Sequence, residues 1–187
     1  MVNGKTVLGV IPARGGSKRF PRKNIAPFRG LPLIVWTIRA AERSEYIDTL
    51  ICSTDAPEVA LIATSAGCHL LHRPSALATD EATSEDVLRH ALSIYPADIV
   101  VLLQPTSPLR PTHDIDECIK LMQPVVSYDE KGNKNGAIYV APSNWLNTHN
   151  FTDAHRHYIM PNHLSLDIDF KEDIDNVGLS SHCAAGH

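Results

Sequence analysis

The chain has 187 residues, 43% hydrophobic and 20% charged, which suits one globular domain with a substantial buried core. Its formal charge of −4 argues against a general nucleic-acid binder, so any basic cluster is a local feature on an acidic background. No apolar run approaches the ~20 residues needed to span a bilayer, and no charged stretch leads into a long apolar core at the start, so the expected location is the cytoplasm, with no membrane partner.

Thr6-Val7-Leu8-Gly9-Val10-Ile11 reads as a continuous apolar strand of the kind covered on both faces in a parallel sheet. It runs into Pro12-Ala13-Arg14-Gly15-Gly16-Ser17-Lys18-Arg19-Phe20-Pro21-Arg22-Lys23-Asn24, a loop holding five of the seventeen basic residues. Adjacent glycines and clustered Arg and Lys suit an anion cradle, although the loop matches neither the Walker nor the dinucleotide fingerprint. The alternative is a solvated surface loop. A helix is expected from Pro32 to about Arg43, a strand over Asp48 to Ser53, a helix from Pro57 to Ala66 capped by Gly67, and a strand over Cys68 to His72. Thr83 or Ser84 caps a helix running to about Tyr95. Asp98 to Leu103 is the strongest buried-strand signal and delivers Gln104-Pro105-Thr106-Ser107-Pro108-Leu109-Arg110 to the carboxyl edge of the sheet, where open α/β sheets bind ligands. A helix near His113 to Met122, strands over Val125 to Tyr128 and Asn135 to Val140 around a polar turn, and a strand near Tyr158 follow. Residues 178–187 carry no periodicity and are expected to be a loosely ordered tail after a single domain over residues 1–177.

Asp167-Ile168-Asp169 is the acidic counterpart of the basic loop. Read as a strand, it puts both carboxylates on one face and Ile168 in the core, and two carboxylates suit a divalent cation shared with phosphates. Standing alone, the same spacing describes a solvated strand edge. Within the basic loop, Arg14 and Lys23 are the expected phosphate ligands, with Arg19 and Arg22 turned to solvent. The scattered Cys52, Cys68, Cys118 and Cys183 suit reduced thiols, and His155, His157 and His163 lack matching partners for a metal site.

Taken together, these segments resemble the cytidylyltransferases that activate nine-carbon acidic sugars, the N-acylneuraminate (CMP-sialic acid) synthetases and their pseudaminic and legionaminic acid relatives. The resemblance rests on the loop from Ile11 to Asn24, Ser53-Thr54-Asp55, Arg73-Pro74 through Leu77-Ala78-Thr79-Asp80 to Ser84, Leu102 to Arg110, Asn135-Gly136-Ala137-Ile138-Tyr139 and Asp167-Ile168-Asp169. It implies a three-layer, nucleotide-diphosphosugar-transferase-like (Rossmann-like) α/β fold with a mostly parallel sheet flanked by helices. It also implies a reaction of CTP with a 2-keto-3-deoxy sugar acid, using Mg²⁺ or another divalent cation, to give the CMP-sugar and pyrophosphate. By position, Arg14, Gly15, Gly16, Ser17 and Lys23 would hold the triphosphate. Asn24, Arg73 and Ser84 would hold the ribose and cytosine, Gln104 and Tyr139 the sugar, and Asp167 with Asp169 the metal. Arg14, Lys23 and Asp169 would carry catalysis.

Gly15-Gly16-Ser17 and Arg22-Lys23-Asn24 favour the nine-carbon branch over the related enzymes for the eight-carbon acid of lipopolysaccharide. One departure stands out. The family's long segment, which supplies part of the sugar wall and a dimerisation arm, is replaced here by a short turn between Val126 and Asn135. That weakens the expectation of the family homodimer and opens a rival reading, a shortened relative that binds CTP without turning it over. No amphipathic closing helix is evident at the C-terminus.

Overall fold

The computed structural model describes residues 1–180. In chain order its elements are β1 (Val7–Pro12), β2 (Pro27–Phe28), β3 (Leu31–Pro32), α1 (Leu33–Glu42), β4 (Thr49–Thr54), α2 (Pro57–Ser65), β5 (His69–His72), α3 (Ser84–Ile94), β6 (Ile99–Leu103), α4 (Thr112–Lys120), β7 (Val125–Asp129), β8 (Lys134–Pro142), β9 (Arg156–Met160) and α5 (Lys171–Ser180). Seven strands form one sheet in the order β5-β4-β1-β6-β8-β7-β9. The first four run parallel, β8 is antiparallel to both neighbours, and β9 is parallel to β7.

Alternation within the strands explains the three layers. Val7 and Ile11 of β1, with Val101 and Leu103 of β6, face Ile34 and Ile38 of α1, Val59 of α2 and Ile119 of α4. Leu8, Val10, Val100 and Leu102 face Leu88 and Ala91 of α3 on the other side. Strands covered on both faces need apolar residues at every position, which is why β1 and β6 read as unbroken apolar runs. A third cluster, built on Phe28, Leu33 and Ile168, closes the carboxyl edge of the sheet.

Two expectations are corrected. Asp167-Ile168-Asp169 is not a strand but an extended segment held by one backbone bond, Ile168 N–H to Thr106 O at 2.8 Å. Its side chains still alternate, with Ile168 buried against Phe28 and Leu33. The expected loose tail begins too early, because α5 runs through Ser180, its start fixed by Asp173, whose carboxylate accepts N–H bonds from Asp169 and Phe170. The rest of that tail, with Cys183, lies outside the described residues. The β2–β3 hairpin was not expected; Arg29 and Gly30, both at positive φ, form its two-residue turn.

β7 and β8 are joined by a tight turn in which the Asp129 carboxylate accepts the N–H groups of Lys131 and Asn133. Just beyond it β8 is bulged. Val126 pairs with Tyr139 but Tyr128 pairs with Lys134, so two steps along β7 match five along β8. Buried Ser127 and Asn135 pin the bulge: Ser127 Oγ bonds Asn135 Oδ1 at 2.6 Å and accepts the N–H of Ile138 at 2.8 Å. Gly136 supplies the left-handed backbone at φ +69°.

Candidate active site

The basic loop leaves β1 at the carboxyl edge, and each turn of it has a local cause. Gly15 donates its N–H to Asp55 Oδ1 at 2.9 Å, and a Cβ there would stand 2.8 Å from the Ala56 Cβ. Gly15 therefore allows close packing of the loop on the start of α2 and spends its N–H on Asp55, rather than presenting it to a ligand as expected. Gly16 faces open space. Arg22 adopts left-handed backbone (φ +59°) and opens a short 3₁₀ turn over Lys23–Ile25 that turns the Lys23 side chain inward, leaving it 14% exposed. Asn24 is buried beneath it and donates its Nδ2 to the Arg14 carbonyl at 2.9 Å, tying the two ends of the loop together.

Four of the loop's five cations meet two carboxylates from distant segments. Asp80 pairs with Arg14 Nη2 and Lys18 Nζ, each at 2.5 Å. Asp169 pairs with Lys23 Nζ at 3.0 Å and Arg19 Nη1 at 3.3 Å. Hydrogen bonds from Lys18 and then Arg14 hold the Asp80 carboxyl below the usual range. Arg19, expected to face solvent, is exposed but paired with Asp169, stacked over the Phe170 ring at 5.6 Å, and part of the cleft wall. Arg22 is not part of that wall.

A cavity of about 570 Å³ lies between the loop, the N-terminus of α3 and the end of β6, and brings together Arg14, Ser17, Lys23, Arg73, Ser84 and Gln104. Asn24 and the bridging Asp80 also line it. Arg73 is buried, with Nε on Ser53 Oγ (3.2 Å) and Nη2 on the Ser53 carbonyl (2.8 Å), and burial lowers its pKa. Ser84 opens α3 directly after Thr83, whose side chain forms a reciprocal capping box with Asp86.

Gln104 directly follows β6, and it is held there by a residue to which the motif gave no role, Arg110. Arg110 is buried, has no carboxylate partner among the described residues, and is pushed down to about 9 by desolvation. Its Nη1 donates to the carbonyls of Gln104 (3.3 Å) and Ala137 (2.7 Å), bridging β6 to the bulged strand β8. Tyr139 does not line this cavity. It is buried on the α3 side of β8 beside the bulge, where a Cβ on Gly136 would stand 3.2 Å from Gln104 Oε1 and 3.8 Å from the Tyr139 hydroxyl. Desolvation, then the charges of Asp167 and Glu85, push the Tyr139 hydroxyl up to about 12.

Asp167 opens to solvent, yet desolvation, with Asp169 adding like charge, raises its carboxyl above the ordinary range. A bound cation relieves such a repulsion. Among the described residues no group of three or more His, Cys, Asp or Glu side chains is placed to hold a metal ion, so the expected donor set is limited to the two carboxylates of Asp167 and Asp169. That donor set fits Mg²⁺, which takes one or two carboxylates and completes its shell with water and phosphate oxygens.

A mostly parallel, helix-flanked sheet whose carboxyl edge carries a cation-rich cleft defines a nucleotidyltransferase-like α/β protein. The fold is similar to that of CMP:2-keto-3-deoxy-manno-octonic acid synthetase in complex with CTP, with a TM-score of 0.75 at 15% identity over 95% of this chain and 99% of that one. The sequence model of the cytidylyltransferases matches residues 8–157, and the chain belongs to that family. It is 34% identical, over 90% of its length, to the N-acylneuraminate cytidylyltransferase of Escherichia coli O18:K1:H7. It is 37% identical, over 62% of its length, to the CMP-N,N'-diacetyllegionaminic acid synthase of Legionella pneumophila. The chain covers 50% of the former relative and 52% of the latter, about half the length of each. No helix among the described residues is long and apolar enough to cross a membrane.

Proposed function

We propose that this chain transfers CMP from CTP to the anomeric hydroxyl of a nine-carbon 2-keto-3-deoxy sugar acid and releases pyrophosphate. The observation that carries the reading is the meeting of four loop cations with Asp169 and Asp80 at one cleft, beside the Gln104 end of β6. The names of the curated relatives supply the substrate class.

In the reaction the anomeric oxygen attacks the α-phosphorus, the bond from that phosphorus to the bridging oxygen of pyrophosphate breaks, and the sugar hydroxyl loses its proton. Little covalent work falls to the protein; the barrier falls by positioning and by neutralising charge on the α-phosphate and the leaving pyrophosphate. Arg14, Lys18 and Lys23 bind the triphosphate oxygens in place of their present carboxylate partners, with Ser17 beside them. Arg73 and Ser84 face the nucleoside, and Asn24 keeps the loop in shape from below. Gln104 and Tyr139 face the sugar. Asp167 and Asp169 would hold a divalent cation, which when bound supplies further neutralisation of the triphosphate.

The test is pyrophosphate release from CTP and Mg²⁺ with N-acetylneuraminate, N,N'-diacetyllegionaminate, pseudaminate and the eight-carbon acid as separate acceptors. Release with a nine-carbon acid is expected. Release with only the eight-carbon acid reassigns the substrate, and calorimetric CTP binding with no release from any acceptor identifies a non-catalytic binder.

A further inference from the structure

An acidic sugar needs a cation for its carboxylate, and the cations of the nucleotide loop are committed to the triphosphate side. On the sugar side Arg110 is sealed from solvent, with Nη1 on two backbone carbonyls and Nε and Nη2 without a partner among the described residues. Lys134 is different. It is exposed, makes no ion pair among the described residues, and holds its Nζ 4.9 Å from the centre of the Tyr139 ring.

That contact is not what strand geometry dictates. Lys134 and Tyr139 are an odd number of residues apart, so in a regular strand they would point to opposite faces. The bulge changes the parity. Tyr139 is the partner of Val126 and Lys134 the partner of Tyr128, and cross-strand partners share a face. Val126 and Tyr128 both pack on the α3 side of the sheet, so the bulge brings Lys134 onto the Tyr139 face. The same bulge sets Gly136 against Gln104, so one backbone irregularity orders the proposed sugar residues and delivers a cation to them. Beyond Lys134 the face continues with Tyr128, its ring stacked on His157 at 4.0 Å, a flat surface suited to sugar C–H groups.

We propose that Lys134, carried by the bulged start of β8, is the residue that grips the carboxylate of the acidic sugar, in place of the longer segment that the tight β7–β8 turn omits. This assignment rests on the proposed transferase reading. Its test compares wild type, Lys134→Met and Lys134→Arg with N-acetylneuraminate and its C1 carboxamide, by initial rates at saturating CTP and by saturation-transfer NMR of sugar binding with CMP present. Lys134→Met is expected to raise the KM for the acid about tenfold, the scale of a lost charged hydrogen bond, while the KM for CTP stays put. Lys134→Arg should keep most of the affinity, and the preference of wild type for acid over carboxamide should vanish in Lys134→Met. An unchanged acid KM in Lys134→Met, or an equal loss for acid and carboxamide, overturns the assignment and leaves the transferase reading standing. A wild type that neither binds nor turns over any acidic sugar overturns both.

Discussion

Lys23 Nζ lies 3.0 Å from Asp169 Oδ1, joining a loop near the start of the chain to a segment 146 residues later. One residue is a proposed phosphate ligand and the other a proposed metal ligand, so each is the other's placeholder. Asp169→Asn is expected to end pyrophosphate release while leaving the fold and CTP binding intact. Lys23→Met should lower kcat about 100-fold, the scale of removing one donor aimed at developing charge. A coupled pyrophosphate assay with parallel CTP calorimetry separates the two effects.

Asp80 holds Arg14 and Lys18 together, and a triphosphate bound as proposed would displace it. Asp80→Asn should therefore tighten CTP binding about threefold at low salt, since exposed ion pairs of this kind are weak and screened. Titrations at two ionic strengths check it; weaker CTP binding in Asp80→Asn would show that Asp80 organises the loop rather than competing for it.

Gly15→Ala places a Cβ 2.8 Å from the Ala56 Cβ. The loop must move, at a cost of ~1–3 kcal/mol for overpacking. Thermal denaturation should register that cost, with a larger proportional loss in kcat/KM for CTP. Adding Ala56→Gly removes the opposing methyl and should restore much of both.

The raised pKa of Asp167 fixes a sign for stability. A carboxyl raised in the folded state costs nothing while protonated in both states; the cost sets in as pH climbs through the unfolded value and is complete above the folded one. Asp167→Asn should thus raise Tm at pH 7, with the gain fading as pH falls through the carboxylate range, and should abolish turnover at the same time. Mg²⁺ added to wild type should raise Tm, and this response should disappear in Asp167→Asn.

Much of this molecule is written in local pattern. The β1 and β6 runs, the Thr83 cap, Gly67 beyond α2 and the basic loop are each legible because one short stretch decides them. What was not legible depends on distant partners. Asp169 reads as a metal ligand by spacing, and only the packing of Ile168 on Phe28 and Leu33 turns it toward Lys23 and Arg19. Asp80 belongs to a motif of the resemblance, but its role as the partner of Arg14 and Lys18 appears only when those side chains come across the cleft. Gly15 reads as a ligand-facing glycine because sequence cannot show Ala56 behind it. The bulge had a signal in Asn135-Gly136, a pair that marks irregular backbone, but its consequence for Lys134 requires the register of β7.

The Asp129 turn closes the β7–β8 hairpin with its own carboxylate and leans on no residue of the nucleotide cleft. The tip of that hairpin is thus a natural graft point. Chain can be lengthened or exchanged between Glu130 and Asn133 without touching β1, the basic loop or Asp169, so on the proposed function acceptor preference and nucleotide chemistry are separable modules. A longer loop transplanted from a relative at that position is expected to change the proposed acceptor preference while the nucleotide cleft keeps its present residues.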